Sequence, residues 1–461
     1  MKRILFFTTQ MISHIKPIIL FLKILNKNSD VYCVGISSFQ DLIEETGVTF
    51  VPYPGSFFSR ESCKSKEKVL AECESRMQVR LSKIQEATEI DEDLIEIFHD
   101  LVHDAIKKQS LDCYGFNDAC YDVVKEIIEG INPNLILRDS QNVYAGAIAK
   151  DKKIKCVSYL TNNMYSFEYL NSAKRYLYSH FFRITDVLSL LSDQYYESLE
   201  RKITEIFAEL AEELQMPQIA PFPSYNLDDD INLIYSLPCL HPPKGKYEKE
   251  GKKYLFLPPA KNSFRLNGDE VICSKLQEFM ATNEKIVYIA TGSFWSRESS
   301  FYEFWINFFL SKGYKIIVSW NPDAWKLTAE GSKKSEIKDF ESFPADKVFV
   351  DQELPQKYIL DHADIFLTAG GWNSVLEAIY YNTPMLFSPF TPEQNMTGLL
   401  MEDLGLGVTL FKQRERAYNA DELFAYFLNK ISGIKDKMEE IKNSYCEEAA
   451  LVPIAEILLQ D

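Results

Sequence analysis

Residues 366–384, FLTAGGWNSVLEAIYYNTP, contain the clearest candidate for a ligand-binding turn. An apolar strand pattern ends at Gly370 and Gly371, and a helical pattern with Asn373 and Ser374 at its start follows at once. Glycine lets a ligand approach the backbone closely, and the free N–H groups of a first helical turn favour an anion. These residues predict a phosphate site, although an ordinary turn with an Asn or Ser cap has the same pattern.

Acid and amide side chains accompany this turn. Glu377 lies one turn into the predicted helix, and Glu393 and Gln394 follow the next predicted strand. A carboxylate accepts hydrogen bonds and an amide both donates and accepts them, which suits ribose or a sugar. Alternatively, the two acids would only pair with helix dipoles, and the proline before Glu393 is typical of a helix start.

The elements that must position these residues are short apolar runs alternating with helical stretches. This alternation is typical of a parallel sheet with crossover helices, so the predicted fold class is α/β. Longer helical patterns over 60–130 and 166–215 predict insertions in the first half. The predicted strands span 3–9, 31–37, 134–139 and 154–160 in the first half, and 285–293, 314–320, 347–352, 364–371 and 384–390 in the second.

Two doubly wound, Rossmann-like domains are predicted. The first spans 1–236, a linker rich in Pro, Gly and Lys spans 237–260, and the second domain spans 261–435. A last helix, within 436–461, is expected to pack back on the first domain. Open α/β sheets bind ligands at the carboxyl ends of their strands, so we expect the domains to face one another across a central cleft.

Composition excludes several classes of protein. The 461 residues are 46% hydrophobic and 25% charged, as in globular proteins, and the net charge of −17 argues against a nucleic-acid groove or a polybasic membrane surface. No apolar run approaches the roughly 18 to 20 residues of a membrane span. Nine cysteines without CxxC spacing indicate free thiols in a reducing compartment, so a cytoplasmic protein is expected.

Residues 348–410 resemble the donor-binding segment of the UDP-glycosyltransferase superfamily, which includes plant and animal enzymes and bacterial macrolide and antibiotic glycosyltransferases. In that family a Trp-x-Pro-Gln element precedes His-x-Gly-Trp-Asn-Ser-x-x-Glu-Ala, then Gly-x-Pro and an acid–Gln pair. The matching residues here are Pro355, Gln356, Gly371, Trp372, Asn373, Ser374, Glu377, Ala378, Pro384, Glu393 and Gln394.

The resemblance implies a GT-B fold, in which the C-terminal domain holds a nucleotide sugar and the N-terminal domain holds the acceptor. It implies no metal and no cofactor beyond this co-substrate. The implied donor contacts are Gln356 and Glu377 to the ribose; Gly292, Ser293, Gly370, Gly371, Trp372, Asn373 and Ser374 around the diphosphate; and Glu393 and Gln394 to the transferred sugar.

The resemblance also implies a general base in the first domain. Family members place a His after the first strand in a Gly-His-x-x-Pro element, and here His14 lies three residues before Pro17. Asp139, at the end of a later predicted strand, would be the partner that fixes the imidazole tautomer. By itself His14 would be interpreted as an ordinary loop histidine.

Two positions depart from the family pattern. Ala369 stands where relatives carry a His directed at the diphosphate, and such a charge-assisted hydrogen bond contributes roughly 1.5 to 3 kcal/mol. Glu353 stands where relatives carry the Trp that stacks on uracil. The donor would then carry a different base, or another aromatic such as Trp320 or Trp295 would hold the uracil.

Three further patterns have structural alternatives. His99 and His103 have chelating spacing on a predicted helix, but a solvated face explains them as well. The acidic triplet 228–230 resembles the metal-binding Asp-x-Asp of another glycosyltransferase fold, and we interpret it as a turn. Aromatic residues concentrated over 159–196 suit an apolar acceptor or simply a helical core.

The sequence therefore predicts an inverting, metal-independent glycosyltransferase. It would move a hexose from a nucleotide diphosphate sugar, with UDP as the expected nucleotide, to a hydroxyl of a small lipophilic or aromatic acceptor such as a natural product. Neither nucleic acid nor stable membrane insertion is expected. The alternatives are a catalytically inactive GT-B binding protein and a GT-B enzyme that uses GDP, ADP or dTDP sugars.

Overall fold

The structure is a computed structural model of the 461-residue chain. The residues that it describes are 1–9, 11–53, 60–86, 91–113, 118–172, 197, 201, 203, 205–206, 208–209, 212, 227–264, 272–292, 295–297, 299–320, 325–326, 340–352, 354–389, 391–410 and 419–460.

The chain forms two compact units. The first unit comprises residues 1–235, 241–257 and 449–461. The second unit comprises residues 236–240 and 258–448. Each unit is built on its own parallel sheet, which confirms the predicted two-domain α/β fold.

The sheet of the first unit has seven parallel strands in the order β3-β2-β1-β4-β5-β6-β7. Its strands are β1 Lys2–Phe7, β2 Ser29–Gly35, β3 Thr49–Pro52, β4 Leu135–Asp139, β5 Lys155–Leu160, β6 Ile231–Ile234 and β7 Lys253–Phe256. The strand order reverses between β1 and β4, which pair in parallel from Ile4↔Leu135 to Phe7↔Arg138. Loops after these two strands therefore meet at one switch point, the usual ligand position in such sheets.

Helices connect these strands and extend the unit. They are α1 Ile12–Ile15, α2 Ile19–Leu25, α3 Gln40–Glu44, α4 Arg60–Glu86, α5 Glu92–Cys113, α6 Asp118–Ile131, α7 Val143–Asp151 and α8 Phe167–Ser172. The long α4 and α5 pack against each other and lie within the insertion expected over 60–130. Most of the second expected insertion, 166–215, lies outside the described residues.

The sheet of the second unit has six parallel strands in the order β12-β10-β8-β13-β14-β15. They are β8 Ile286–Ala290, β10 Lys315–Ser319, β12 Val348–Asp351, β13 Ile365–Thr368, β14 Met385–Phe387 and β15 Gly407–Thr409. A separate pair consists of β9 Trp295–Ser296 and β11 Trp325–Lys326. Here the order reverses between β8 and β13, so the glycines after β13 lie at a switch point.

The helices after residue 272 are α9 Ser274–Met280, α10 Ser299–Ser311, α11 Gln356–Leu360, α12 Trp372–Tyr380, α13 Pro392–Asp403, α14 Ala420–Lys442 and α15 Val452–Gln460. The last, α15, belongs to the first unit and packs against α2. None of the helices among the described residues is long and apolar enough to cross a membrane.

Two predicted domain boundaries need correction. The predicted linker 237–260 contains β7, which pairs with β6 as a strand of the first sheet. Its short apolar run was obscured by the surrounding Pro, Gly and Lys residues. The predicted boundary at 435/436 falls inside α14, since that helix continues to Lys442. Four short strands, β3, β6, β7 and β15, were also missed by the sequence analysis.

Candidate functional site

His14 and Asp139 meet at the switch point of the first sheet. His14 lies in α1, just after β1, and Asp139 is the last residue of β4. The Nδ1 atom of His14 lies 2.7 Å from Oδ2 of Asp139, and the two residues are only 8% and 1% exposed. Because a carboxylate accepts, this geometry places a proton on Nδ1 and leaves Nε2 as the basic ring nitrogen.

Two further contacts fix this pair. The Thr161 hydroxyl, just after β5, lies 3.2 Å from Nδ1 of His14. The backbone N–H of Gln141 donates to Oδ1 of Asp139 at 2.9 Å, so the carboxylate is held at both oxygens. The sequence analysis missed Thr161, although its position after the strand next to β4 is a usable signal.

The second candidate site is the turn between β13 and α12. Gly370 has φ +91°, a conformation that L side chains rarely adopt, and a Cβ there would lie 3.1 Å from Cδ1 of Phe387. Gly371 is the N-cap of α12 and supplies no side chain, so the helix begins without a side-chain cap. A helix start without a side-chain cap, where the helix dipole favours negative charge, is the kind of position at which anions bind.

A polar cluster lies beside this turn. Nε2 of Gln356, at the start of α11, donates to Oε2 of Glu377 at 2.5 Å and to Oγ of Ser374 at 3.2 Å. The hydroxyl of Tyr288 donates to Oε1 of Gln356 at 3.4 Å. Burial raises the pKa of Tyr288, which keeps this donor protonated. Three residues assigned to the donor by resemblance are thus brought together, and Tyr288 adds a fourth that sequence reasoning missed.

Two of the predicted residues at this turn have buried side chains. The Trp372 residue is 3% exposed, so its indole packs in the core and only its backbone is available to a ligand at this turn. Ala369 is 2% exposed.

Glu393 and Gln394 lie in the first turn of α13. Oε1 of Gln394 accepts from the Thr391 N–H at 3.1 Å, and the Thr391 hydroxyl accepts from the Gln394 N–H at 3.3 Å, which together form a capping box. Glu393 is the first-turn acid after Pro392. Both residues thus have the helix-start role that the sequence analysis gave as the alternative to sugar binding.

The remaining donor candidates surround the ends of β8, β10 and β12. Gly292 has φ +104° and open space where a Cβ would be. Trp320 packs edge-on against Phe340, with ring centroids 5.5 Å apart. Ser293 and Glu353, as well as the side chain of Trp295, lie outside what the structure describes.

Arg297 is a third residue that sequence reasoning missed. Its Nη2 donates to the carbonyl oxygens of Ser388 and Pro389, both at 2.6 Å. It therefore ties the segment after β9 to the loop that leads into α13. An isolated arginine in a loop carries no such signal in the sequence.

The acidic triplet has structural partners. Asp229 pairs with Arg138 at 2.5 Å, and Oδ2 of Asp230 accepts from the Cys156 N–H at 3.2 Å. Among the described residues, which include His99, His103 and the triplet, no group of three His, Cys, Asp or Glu could hold a metal ion. The triplet acts in the fold of the first unit.

The concentrated aromatic residues are described only in part. Tyr165 and Tyr169 stack with ring centroids 6.3 Å apart, and Tyr165 is buried. Residues 173–196 of this stretch lie outside the described residues.

Comparison with known proteins agrees with this geometry. Residues 341–423 match the family model "UDP-glucoronosyl and UDP-glucosyl transferase", and this range contains the β13–α12 turn and three residues of the polar cluster, Gln356, Ser374 and Glu377. An uncharacterized UDP-glucosyltransferase, YojK, of Bacillus subtilis (strain 168) is 22% identical over 344 residues, which is 73% of this chain and 72% of that protein.

Solved structures share the fold over the whole chain. The glycotransferase of kitacinnamycin has a TM-score of 0.65 at 14% identity and covers 100% of this chain and 98% of its own. The glycosyltransferase VinC, in complex with dTDP, has a TM-score of 0.57 at 14% identity, with 98% and 99% covered. The matched family segment over residues 341–423, the related sequence and the shared two-sheet fold together support a glycosyltransferase enzyme of the UDP-glycosyltransferase superfamily.

Proposed function

We propose that the chain is an inverting, metal-independent glycosyltransferase that moves a hexose from a nucleotide diphosphate sugar to a hydroxyl of a small lipophilic or aromatic acceptor. The observation that carries the proposal is the buried 2.7 Å contact between His14 and Asp139. It supplies an oriented base in the unit assigned to the acceptor, while the second unit has the features of a nucleotide site.

In this reaction His14 is the general base. Its Nε2 takes the proton of the acceptor hydroxyl while the oxygen attacks the anomeric carbon of the donor. The bond from that carbon to the diphosphate oxygen breaks, and the nucleoside diphosphate leaves with the electron pair. Attack opposite to the leaving group inverts the anomeric configuration. The Asp139 carboxylate, in contact with Nδ1, stabilises the imidazolium that forms.

The second unit would bind the donor. The start of α12 and the backbone at Gly371, where nothing lies within 4 Å of an added Cβ, suit the diphosphate, whose charge is greatest when the bond breaks. Glu377 and Gln356 together offer an acceptor and a donor, which matches the paired hydroxyls of a ribose. These groups are hydrogen-bonded to one another here, so ribose would replace the bond between them.

We assign UDP as the expected nucleotide on the strength of the family segment. Glu353 in place of the stacking Trp motivates dTDP, GDP and ADP as alternatives, and VinC is one protein of this fold bound to dTDP. The buried imidazole–carboxylate pair favours an active enzyme over an inactive binding protein.

The test combines binding and product analysis. Calorimetry with UDP, dTDP, GDP and ADP identifies the nucleotide, and the matching α-linked nucleotide sugar is then incubated with a set of phenolic and aliphatic alcohols in the presence of EDTA. We expect release of the nucleoside diphosphate and a β-linked glycoside by NMR. An α-linked product, or loss of activity in EDTA, would contradict the inverting, metal-independent mechanism, and no product from any bound donor would contradict the transferase.

A further inference from the structure

A buried arginine directly precedes Asp139, the acid of the proposed pair, in the sequence. Arg138 precedes Asp139 in β4 and is only 6% exposed. Side chains alternate between the faces of a strand, so Arg138 points to the face opposite to Asp139. A buried arginine is costly unless its charge and donors are satisfied, which makes its partners informative.

The guanidinium has two kinds of partner. Its Nη2 pairs with Oδ2 of Asp229 at 2.5 Å, and both side chains are nearly buried. Burial by itself would lower the pKa of Arg138, but the Asp229 carboxylate raises it, so the arginine stays charged. Its Nη1 donates to the carbonyl oxygens of Ser140 at 3.1 Å and Asn142 at 3.3 Å.

These carbonyls belong to the loop that orients Asp139. Between them lies Gln141, whose N–H donates to Oδ1 of Asp139, and the N–H of Asn142 donates to the Asp139 carbonyl at 2.8 Å. The Asn142 side chain in turn accepts from Ala145 N at 3.3 Å and caps α7. Arg138 thus holds the Ser140–Gln141 peptide group, whose N–H fixes the carboxylate, and the carbonyl of Asn142 one residue further on.

The helix beside the guanidinium leaves space for it. A Cβ on Gly146, in α7, would lie 2.6 Å from Nε and 3.0 Å from Cζ of Arg138. The backbone of Gly146 has no positive φ, so its conformation does not require glycine. The reason for a glycine in the interior of this helix is therefore the room that it gives to Arg138.

We propose that Arg138, held by Asp229 and accommodated at Gly146, is a positioning residue that fixes Asp139 against His14. Its effect on catalysis rests on the proposed function, but its effect on the His14 ring does not. Asp229 of the acidic triplet and Gly146 in α7 thereby share one structural role, which is to hold the Arg138 side chain in place.

The test reads the His14 ring directly. Nitrogen-15 NMR of protein labelled at the histidine rings shows which ring nitrogen carries the proton, and His14→Gln assigns the signal. In the wild type we expect the proton on Nδ1. In Arg138→Met, and more weakly in Gly146→Ala, we expect it to be shared between the two nitrogens because the carboxylate is displaced.

Turnover and binding provide the second readout. Since small misplacements of catalytic groups have large effects on rate, we expect kcat to fall by about 10- to 100-fold in Arg138→Met and by about 10-fold in Gly146→Ala, with unchanged nucleotide affinity. Arg138→Lys should retain more activity than Arg138→Met, since it keeps the charge beside Asp229.

Matched controls come from the same unit. Arg76→Met breaks a comparable ion pair with Asp104 in the α4–α5 hairpin, and Gly130→Ala adds a Cβ in α6 where nothing lies within 4 Å. Neither should change the His14 tautomer. If Arg138→Met does not fold, Gly146→Ala and Arg138→Lys decide the question.

An unchanged His14 tautomer in folded Gly146→Ala, and in Arg138→Met where it folds, would overturn the proposal, whereas Arg138→Lys should lie between the wild type and Arg138→Met. If no donor is turned over by the wild type, the proposed function fails, but the NMR experiment still judges the positioning role. A loss of kcat without a change in tautomer would assign Arg138 to general stability.

Discussion

The two candidate sites lie at equivalent switch points of two parallel sheets, yet they are held in different ways. In the first unit the His14–Asp139 pair is almost fully buried and is fixed by contacts from three strand ends. In the second unit Gln356, Ser374 and Glu377 are half-buried and bond mainly to one another. A base needs a fixed ring in low dielectric, whereas a nucleotide site needs groups that exchange their partners on binding.

The largest expected effect concerns the first site. His14→Ala removes the proposed base, and general-base catalysis typically contributes about 10²- to 10⁴-fold, so kcat should fall by that factor. Nucleotide affinity, measured by calorimetry, should not change, because the second unit is untouched. Unaltered turnover in a folded His14→Ala protein would exclude this residue as the base.

The second effect concerns the polar cluster. Glu377→Gln removes a charged acceptor, and a charge-assisted hydrogen bond contributes roughly 1.5 to 3 kcal/mol, so the Kd for the nucleotide should rise about 10- to 100-fold. At saturating donor kcat should change much less. Glu439→Gln, at an exposed position of α14, is the matched control. Unchanged affinity in Glu377→Gln would remove Glu377 from the ribose site.

The third effect concerns stability at low pH, which should fall more in the first unit than in the second because of His241. His241, in the first unit, accepts from the Met164 N–H at 3.1 Å, and burial lowers its pKa to about 3. Because the folded pKa lies below the unfolded value of about 6.5, this stabilisation is complete above pH 6.5 and is lost as pH falls toward 3. At pH 5 the first unit should be about 2 kcal/mol less stable than at pH 7.

Hydrogen exchange of peptides that contain Met164 measures this loss. His241→Asn keeps an acceptor for the Met164 N–H but does not titrate. The loss of stability between pH 7 and pH 5 should therefore be smaller in this variant by about 2 kcal/mol. All five tryptophans lie between residues 295 and 372, so their fluorescence reports on the second unit as an internal control. Equal acid sensitivity of wild type and His241→Asn would contradict the prediction.

The smallest effect tests whether the capping box of α13 only stabilises the helix or also belongs to the donor site. Thr391→Ala removes the hydroxyl of the capping box, and the loss of an N-cap costs about 1 kcal/mol. Urea unfolding followed by tryptophan fluorescence should show this loss, and Thr391→Ser should show little. Nucleotide affinity should change only slightly, whereas a large loss would give the capping box a direct role in the donor site.

Much of the fold was predictable because parallel strands buried on both faces leave continuous apolar runs. The strands around β1, β4, β8 and β13 were located from such runs. The strand β7 was missed because its apolar run is short and lies among Lys, Gly and Pro, and β15 because only Val408 of Gly407–Thr409 is strongly apolar.

The sequence by itself determined the alternating α/β pattern, the bare turn at Gly370 and Gly371 and the family segment around Gln356 and Glu377, because these depend on residues close together in the chain. Only the tertiary structure decided that Thr161 contacts His14 and that Asp229 pairs with Arg138 beside Gly146. Such contacts join residues far apart in sequence, and strand order and side-chain packing bring them together.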